Sequence, residues 1–382
     1  MSEFLDFFYD RTAQMVETLG QLVLFESPTL SKEHVDKLGE HVAGMCSNLG
    51  AEVAVFPLEE VGDVRLAMWN ADAPGKPIMF LTHLDTVWPV GTLETMPLRE
   101  EDGLLYGPGV LDMKAGVVVA LEAIRGLLDR DEMPNRPIWM FFNTDEEIGS
   151  LYSRELIHEK AAEVGLVLVM EPGTETEAVK TSRKGLARYT VRTEGRAAHS
   201  GFAPEEGINA VIEAAHQALA LHELNDLPNG TSVSVTVVQG GFTINVIPPE
   251  AKLETDVRFF KAAEAERVDR AVKALTPVLP GAKVHIEGAI DRGPMEYTEQ
   301  TKRLFGQLKA IGASIGLELH ESASGGASDG NFTAAMGVPT MDGLGGGGTG
   351  LHAAHEQVII RSLPRRAALL ARLLVDWDMS TI

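Results

Sequence analysis

KPIMFLTHLDTV, residues 76–87, decides how the chain is read. Ile78 to Leu81 form a short apolar run of the kind a buried strand shows. The run leads to His83, with Asp85 two residues on. In extended backbone, positions i and i+2 face the same side. Asp85 can then accept a hydrogen bond from one ring nitrogen of His83 and leave the other for a metal ion, an arrangement that fixes the tautomer of a ligating histidine. Alone, a histidine at a strand end reads better as a packed structural residue. Four further places change that balance.

The first is YGPGVLDMKAG, residues 106–116, where a glycine-proline turn delivers Asp112 just before the helix-periodic stretch Val117 to Leu128. The plain alternative is that Asp112 caps that helix. The next is RPIWMFFNTDEEIG, residues 136–149, in which the apolar strand Ile138 to Phe142 runs out into Glu146 and Glu147. In GLVLVMEPG, residues 165–173, another apolar strand ends at Glu171 before a Pro-Gly turn. Three buried strands thus set His83, the pair Glu146 and Glu147, and Glu171 at their carboxyl ends, the edge where open α/β sheets bind ligands. Far downstream, the glycine-rich GLGGGGTGLHAAHE, residues 343–356, carries His352 and His355. Carboxylates with imidazoles and no thiolate suit zinc, cobalt or manganese. Two histidines and three or four acids exceed the needs of one zinc; they fit two metals bridged by one carboxylate.

The set H-x-D-T, G-x-x-D-x-K-x-G, D-E-E, E-P-G and a late H-x-x-x-E resembles the di-zinc aminoacylase and glutamate carboxypeptidase family, in order and over nearly the whole chain. Within that family the likeness leans to the glutamate carboxypeptidase type. The resemblance implies two zinc ions per subunit, with cobalt or manganese as substitutes. It implies that Asp112 bridges the metals, that His83 and Glu171 complete one site, and that Glu147 and His352 complete the other. Glu146 becomes the general base and Asp85 the partner of His83. His352 is favoured over His355 because it stands four residues before Glu356, although a swap stays open on local spacing. A cis peptide after Asp112 is also implied.

With 382 residues, the chain suits two domains. A formal net charge of −22 argues against nucleic acid or an anionic membrane as partner. The single cysteine, Cys46, excludes a disulfide within the chain and reads as a packed thiol. No apolar run reaches the ~18 residues of a membrane span. The first residues lack a secretory pattern, so a cytoplasmic location is expected.

Residues 3–24 read as one amphipathic helix and 31–49 as another, stopped by Gly50. Strands are expected at Glu52 to Phe56 and Arg65 to Trp69, then the strand–helix series through Gly173. This alternation predicts an α/β fold with a largely parallel sheet covered by helices on both faces. The character changes near Thr181. From Gly185 to Gly288 the pattern runs β-α-β-β-α-β, the ferredoxin-like order. The resemblance implies a lid or dimerisation domain at 182–291, inserted into a catalytic domain of 1–181 and 292–382, and a homodimer through the lid.

The insert has its own candidates. GRAAHSG, residues 195–201, resembles the family's G-x-x-x-H-x-G, which implies that His199 donates to the oxyanion of the tetrahedral intermediate; its alternative is a turn histidine. Asn245 matches the family's N-x-x-P and is implied at the substrate's carboxylate or the same oxyanion; its alternative is an ordinary turn residue before prolines. Arg292 is placed like the arginine that binds a terminal carboxylate, or else is a surface residue. Arg258 is a weaker second choice. Ser324 to Asp329 either line the pocket through backbone amides or form a plain surface loop. The expected activity is metal-dependent hydrolysis of an amide bond, releasing a glutamate-like C-terminal amino acid from an N-acyl amino acid or short peptide. The alternatives are an N-acyl-amino-acid deacylase of acetylornithine or succinyl-diaminopimelate type and, more distantly, a non-catalytic binding protein.

Overall fold

A computed structural model describes residues 3–381. The chain divides into two compact units, one made of Met1–Thr181, Tyr297–Ala323 and Ser328–Ile382, the other of Ser182–Glu296 with Ser324–Ala327. Among the described residues no helix is long and apolar enough to cross a membrane.

The first unit is built on a six-stranded sheet. Its main strands are β1 (Glu52–Phe56), β2 (Val64–Trp69), β3 (Ile78–His83), β4 (Ile138–Asn143) and β5 (Leu166–Val169). They lie in the order β1-β2-β4-β3-β5, and the short strand Thr340–Met341 follows β5 at the far edge. The pairings of β4 with β3, of β3 with β5, and of β5 with Thr340–Met341 are parallel. Those of β1 with β2 and of β2 with β4 are antiparallel, so the sheet is mixed and mainly parallel. Successive side chains of a strand alternate between faces. Accordingly Ile78, Phe80, Ile138, Met140, Leu166 and Leu168 enter one core, while Met79, Leu81, Phe141, Val167 and Val169 enter a second core behind the sheet. Being buried on both faces explains why these strands read as unbroken apolar runs.

The helix Ala115–Asp129 is buried nearly all round and packs into the larger core with Ser362–Asp376. The single helix expected over 3–24 is two helices, Glu3–Tyr9 and Thr12–Val23. Side-chain contacts mark the break. The Thr12 hydroxyl bonds the Tyr9 carbonyl at 2.7 Å, and Arg11 turns aside to Glu122 at 3.1 Å and Asp129 at 2.9 Å. A small antiparallel sheet, Arg99–Glu101, Leu104–Tyr106, Gln357–Ile359 and Gly348–Thr349, was not expected from the sequence. Cys46 is buried, which pushes its thiol up to about 12.

The second unit has strands β6 (Gly185–Glu194), β7 (Ser232–Gly240), β8 (Glu250–Phe259) and β9 (Lys283–Arg292), in the order β7-β8-β6-β9 and antiparallel throughout. Helices Ala210–His222 and Ala262–Lys273 complete the β-α-β-β-α-β order. One face of the sheet holds the core, with Tyr189, Val191, Leu253, Val257 and Phe259 against Ala214, Leu221, Val268 and Val272.

Candidate metal centre

The acids and imidazoles of the candidate site are delivered by several elements of the first unit. His83 ends β3 and is 2% exposed. Its Nδ1 donates to the Asp85 main-chain carbonyl at 3.0 Å, with an Asp85 carboxylate oxygen at 3.4 Å. The Asp85 carboxylate is mainly engaged elsewhere. It accepts the Thr29 hydroxyl at 2.8 Å and the backbone N–H groups of Glu146 at 3.2 Å and Glu147 at 3.1 Å. Asp85 therefore holds both the His83 ring and the turn that carries the paired glutamates.

His83 Nε2 stands 3.2 Å from Asp112 Oδ1 and 3.5 Å from Glu171 Oε1. His352 Nε2 stands 3.3 Å from Asp112 Oδ2 and 3.3 Å from Glu147 Oε2. The two oxygens of Asp112 thus face two different imidazoles. Two donor groups, His83 with Asp112 and Glu147, and His83 with Glu146 and Glu171, each have their ligand atoms within 4.8 Å of one another. His352 lies in the left-handed backbone region at φ 57°, which histidine visits more readily than most residues. Its neighbour His355 is exposed, and the imidazole that these acids engage is that of His352.

Asp112 does not cap the helix that follows it. It sits in a wide turn, Val110–Lys114, at non-helical φ −111° and ψ 99°, and the Asp112–Met113 peptide is cis. Burial opposes the charge of Asp112, but His352 and His83 hold it well below the usual carboxylate range. Burial likewise opposes a proton on His83, yet Asp112, Asp85 and Glu171 keep that imidazole well above its usual value. Asp112 and Glu147 raise His352 to about 10. Glu147 rises to about 7 through burial and the charge of Asp112, against the pull of His352. Four carboxylates converging on two imidazoles in a largely buried space are costly unless further positive charge joins them. Oxygen and imidazole donors without thiolate fit zinc-like divalent ions.

The supports behind these residues escaped the sequence reading. Asp329, 3% exposed, and Ser150 hold Asn143 at the end of β4, with Asn143 Nδ2 2.5 Å from Asp329 and 3.1 Å from Ser150. Asp145 accepts the Tyr152 N–H at 2.7 Å and the Ser153 hydroxyl, and this closes the glutamate turn from below. Ser328 and Asp329 are therefore buried braces, while Gly325 and Gly326 just before them are exposed. Nothing local in the sequence points to them, because their partners lie up to 186 residues away.

Two glycines let the ligand-bearing elements close up. A Cβ on Gly116 would lie 2.1 Å from the Met170 carbonyl oxygen, and one on Gly345 2.3 Å from the same atom. The helix after Asp112 and the glycine-rich loop thus pack against the strand end that presents Glu171. Gly116→Ala is expected to cost about 1–3 kcal/mol through overpacking. Gly306→Ala, in an open helical position, should gain roughly 0.5–1 kcal/mol. Urea unfolding of both variants checks the contrast.

In the second unit, His199 is exposed on the short strand Ala198–His199 and pairs with Val246. Its Nδ1 accepts the N–H groups of Gly201 at 3.2 Å and Phe202 at 3.1 Å, which leaves the proton of the neutral ring on Nε2. Asn245 is nearby in the same unit; its carbonyl accepts the Ser200 N–H at 3.0 Å and its side chain the Thr243 hydroxyl at 3.1 Å. Arg292 is 4% exposed at the end of β9, so it is no surface residue. Arg258 forms an ion pair with Asp256 at 2.8 Å.

Comparison with known proteins supports a common origin for this arrangement. The chain is 33% identical to carboxypeptidase G2 of Pseudomonas sp. (strain RS-16), covering 96% of this chain and 90% of that protein. It is 28% identical to a succinyl-diaminopimelate desuccinylase of Shewanella loihica, over 77% of this chain and 83% of that one. The crystal structure of aminopeptidase PepT from Bacillus cereus superposes with a TM-score of 0.80 at 22% identity, covering 95% of this chain and 98% of the other, and so shares the fold. Residues 79–376 match the model of peptidase family M20/M25/M40, and with the similarity running along nearly its whole length the chain belongs to that family of metal-dependent hydrolases.

Proposed function

We propose that the protein hydrolyses an amide bond to release a C-terminal, glutamate-like amino acid from an N-acyl amino acid or short peptide. The carrying observation is Asp112, whose two oxygens each face a different imidazole, His83 and His352. In this reading Asp112, His83 and Glu171 would hold one zinc ion, and Asp112, Glu147 and His352 would hold the other. Bound there, the metals would supply a water of lowered pKa and a polarised carbonyl. Glu146, aligned through its backbone by Asp85, takes the proton of the attacking water and returns it to the leaving amine. His199, with its proton on Nε2, stays the candidate donor to the developing oxyanion, a contribution of roughly 2.7–4 kcal/mol for such donors. Asn245 and Arg292 are the candidates for the substrate's carboxylate.

The similarity to carboxypeptidase G2 supports the glutamate reading. The similarity to a succinyl-diaminopimelate desuccinylase favours a second one, an N-acyl-amino-acid deacylase. A panel of N-acyl-L-glutamate, N-acetylornithine and N-succinyl-diaminopimelate separates them. The first is expected to lead in kcat/KM by at least about tenfold, or roughly 1.4 kcal/mol in the transition state. A lead for either of the others would move the assignment to a deacylase. A homodimer through the inserted unit is also proposed. The exposed apolar side chains Leu219, Val238 and Phe242 in that unit support it, and light scattering tests it.

A further inference from the structure

Glu356 lies outside the set of donors facing His83 and His352, yet it is 1% exposed and its carboxylate takes four hydrogen bonds. Oε1 accepts the backbone N–H of Leu111 at 2.9 Å and of Asp112 at 3.1 Å. Oε2 accepts the backbone N–H of Gly109 at 3.0 Å and the indole N–H of Trp88 at 2.8 Å. The partners come from two segments distant in sequence, the loop after β3 and the turn that carries Asp112. The fold brings them together through the small sheet. Gln357 pairs with Tyr106 on one side, and Gly348–Thr349 pairs with Gln357 and Val358 on the other. Residues 350–356 are therefore the loop of a hairpin. His352 lies within it and Glu356 ends it, directly beside the strand that feeds the Asp112 turn.

We propose that Glu356 is a positioning residue that ties the Asp112 turn to the His352 loop, with Trp88 fixing its second oxygen. This rests on the two-metal reading of Asp112. A carboxylate spread over three amides of one turn sets the direction of the Asp112 backbone, and through it the aim of both Asp112 oxygens. The same side chain fixes one end of the short loop bearing His352. Four donors on one buried carboxylate leave that group little freedom, and charge-assisted bonds of this type are the stronger kind. An apolar or amide side chain cannot serve all four. Glutamine keeps one accepting oxygen but turns a second donor group toward Gly109 and Trp88.

The test is zinc affinity, read by competition with a chromogenic chelator, alongside circular dichroism and kcat and KM at saturating zinc. Glu356→Gln is expected to weaken zinc binding by about 10–100-fold, the range for partners that orient ligands. Both zinc ions should loosen together, because Asp112 faces both imidazoles. Saturating zinc should return kcat to near the wild-type value with KM little changed. A folded Glu356→Gln protein with wild-type zinc affinity would overturn the inference, and so would loosening of one ion alone. Should that variant not fold, Trp88→Phe decides: it removes one donor of four, and weaker zinc binding supports the role while unchanged binding overturns it. A wild-type protein that takes up no zinc would remove the two-metal reading together with this inference. Tight wild-type binding with unchanged variants would remove this inference alone.

Discussion

Glu146→Gln is expected to keep zinc content and unfolding temperature near wild type while lowering kcat by about 10²–10⁴-fold, the usual span for a general acid–base group. The amide has almost the shape of the carboxylate but cannot accept and return a proton. The Glu146 backbone is fixed by Asp85 at 3.2 Å, so the substitution leaves the turn in place. Because the base acts in the transition state, KM should move much less than kcat. Glu146 also lies among the donor atoms of His83 and Glu171, within 4.8 Å. Zinc content therefore separates two roles. Retained zinc with lost turnover identifies the base, while lost zinc would make Glu146 a ligand. Turnover at the wild-type rate would end its assignment altogether.

Asp112→Ala is expected to have the largest effect on the metals. Asp112 faces His83 at 3.2 Å and His352 at 3.3 Å, so its loss removes an oxygen from both positions. Zinc binding should weaken at both by more than about 100-fold, beyond what loss of an outer partner does. The wild-type protein should gain about 2.7 kcal/mol of stability for each zinc ion bound at a zinc concentration a hundredfold above Kd, and the variant should gain little. Denaturant unfolding with and without zinc reads this directly. Loss of one zinc with full retention of the other would show that Asp112 serves a single position.

What could be read in the sequence was set by distance along the chain. The strand cores Ile78–Leu81, Ile138–Phe142 and Leu166–Val169 were legible because burial on both faces leaves an uninterrupted apolar run. The side chain that ends each run, or stands a few residues past it, then marks the sheet edge. Direction was less legible. β1 and β2 look the same whether they pair parallel or antiparallel, and they pair antiparallel. At the break between Tyr9 and Thr12, Arg11 reaches Glu122, a contact that no local pattern records. The same holds for Glu356. Its spacing from His352 marked it, but its task depends on amide groups some 245 residues earlier. Asp85 was expected to hold His83 by its carboxylate. The structure gives a 3.0 Å contact to its carbonyl as well, keeps a carboxylate oxygen 3.4 Å from the same ring nitrogen, and bonds that carboxylate to the Glu146–Glu147 turn. Main-chain partners of this kind have no residue type by which a sequence could reveal them.

The most direct test of the account is zinc per chain in the purified protein, measured with hydrolysis of an N-acyl-L-glutamate before chelation, after it, and after zinc is returned. About two zinc ions per chain are predicted, as a carboxylate-bridged pair requires, with hydrolysis lost on chelation and restored by zinc. A protein that neither holds nor takes up metal, or that hydrolyses the substrate equally well after chelation, would contradict it.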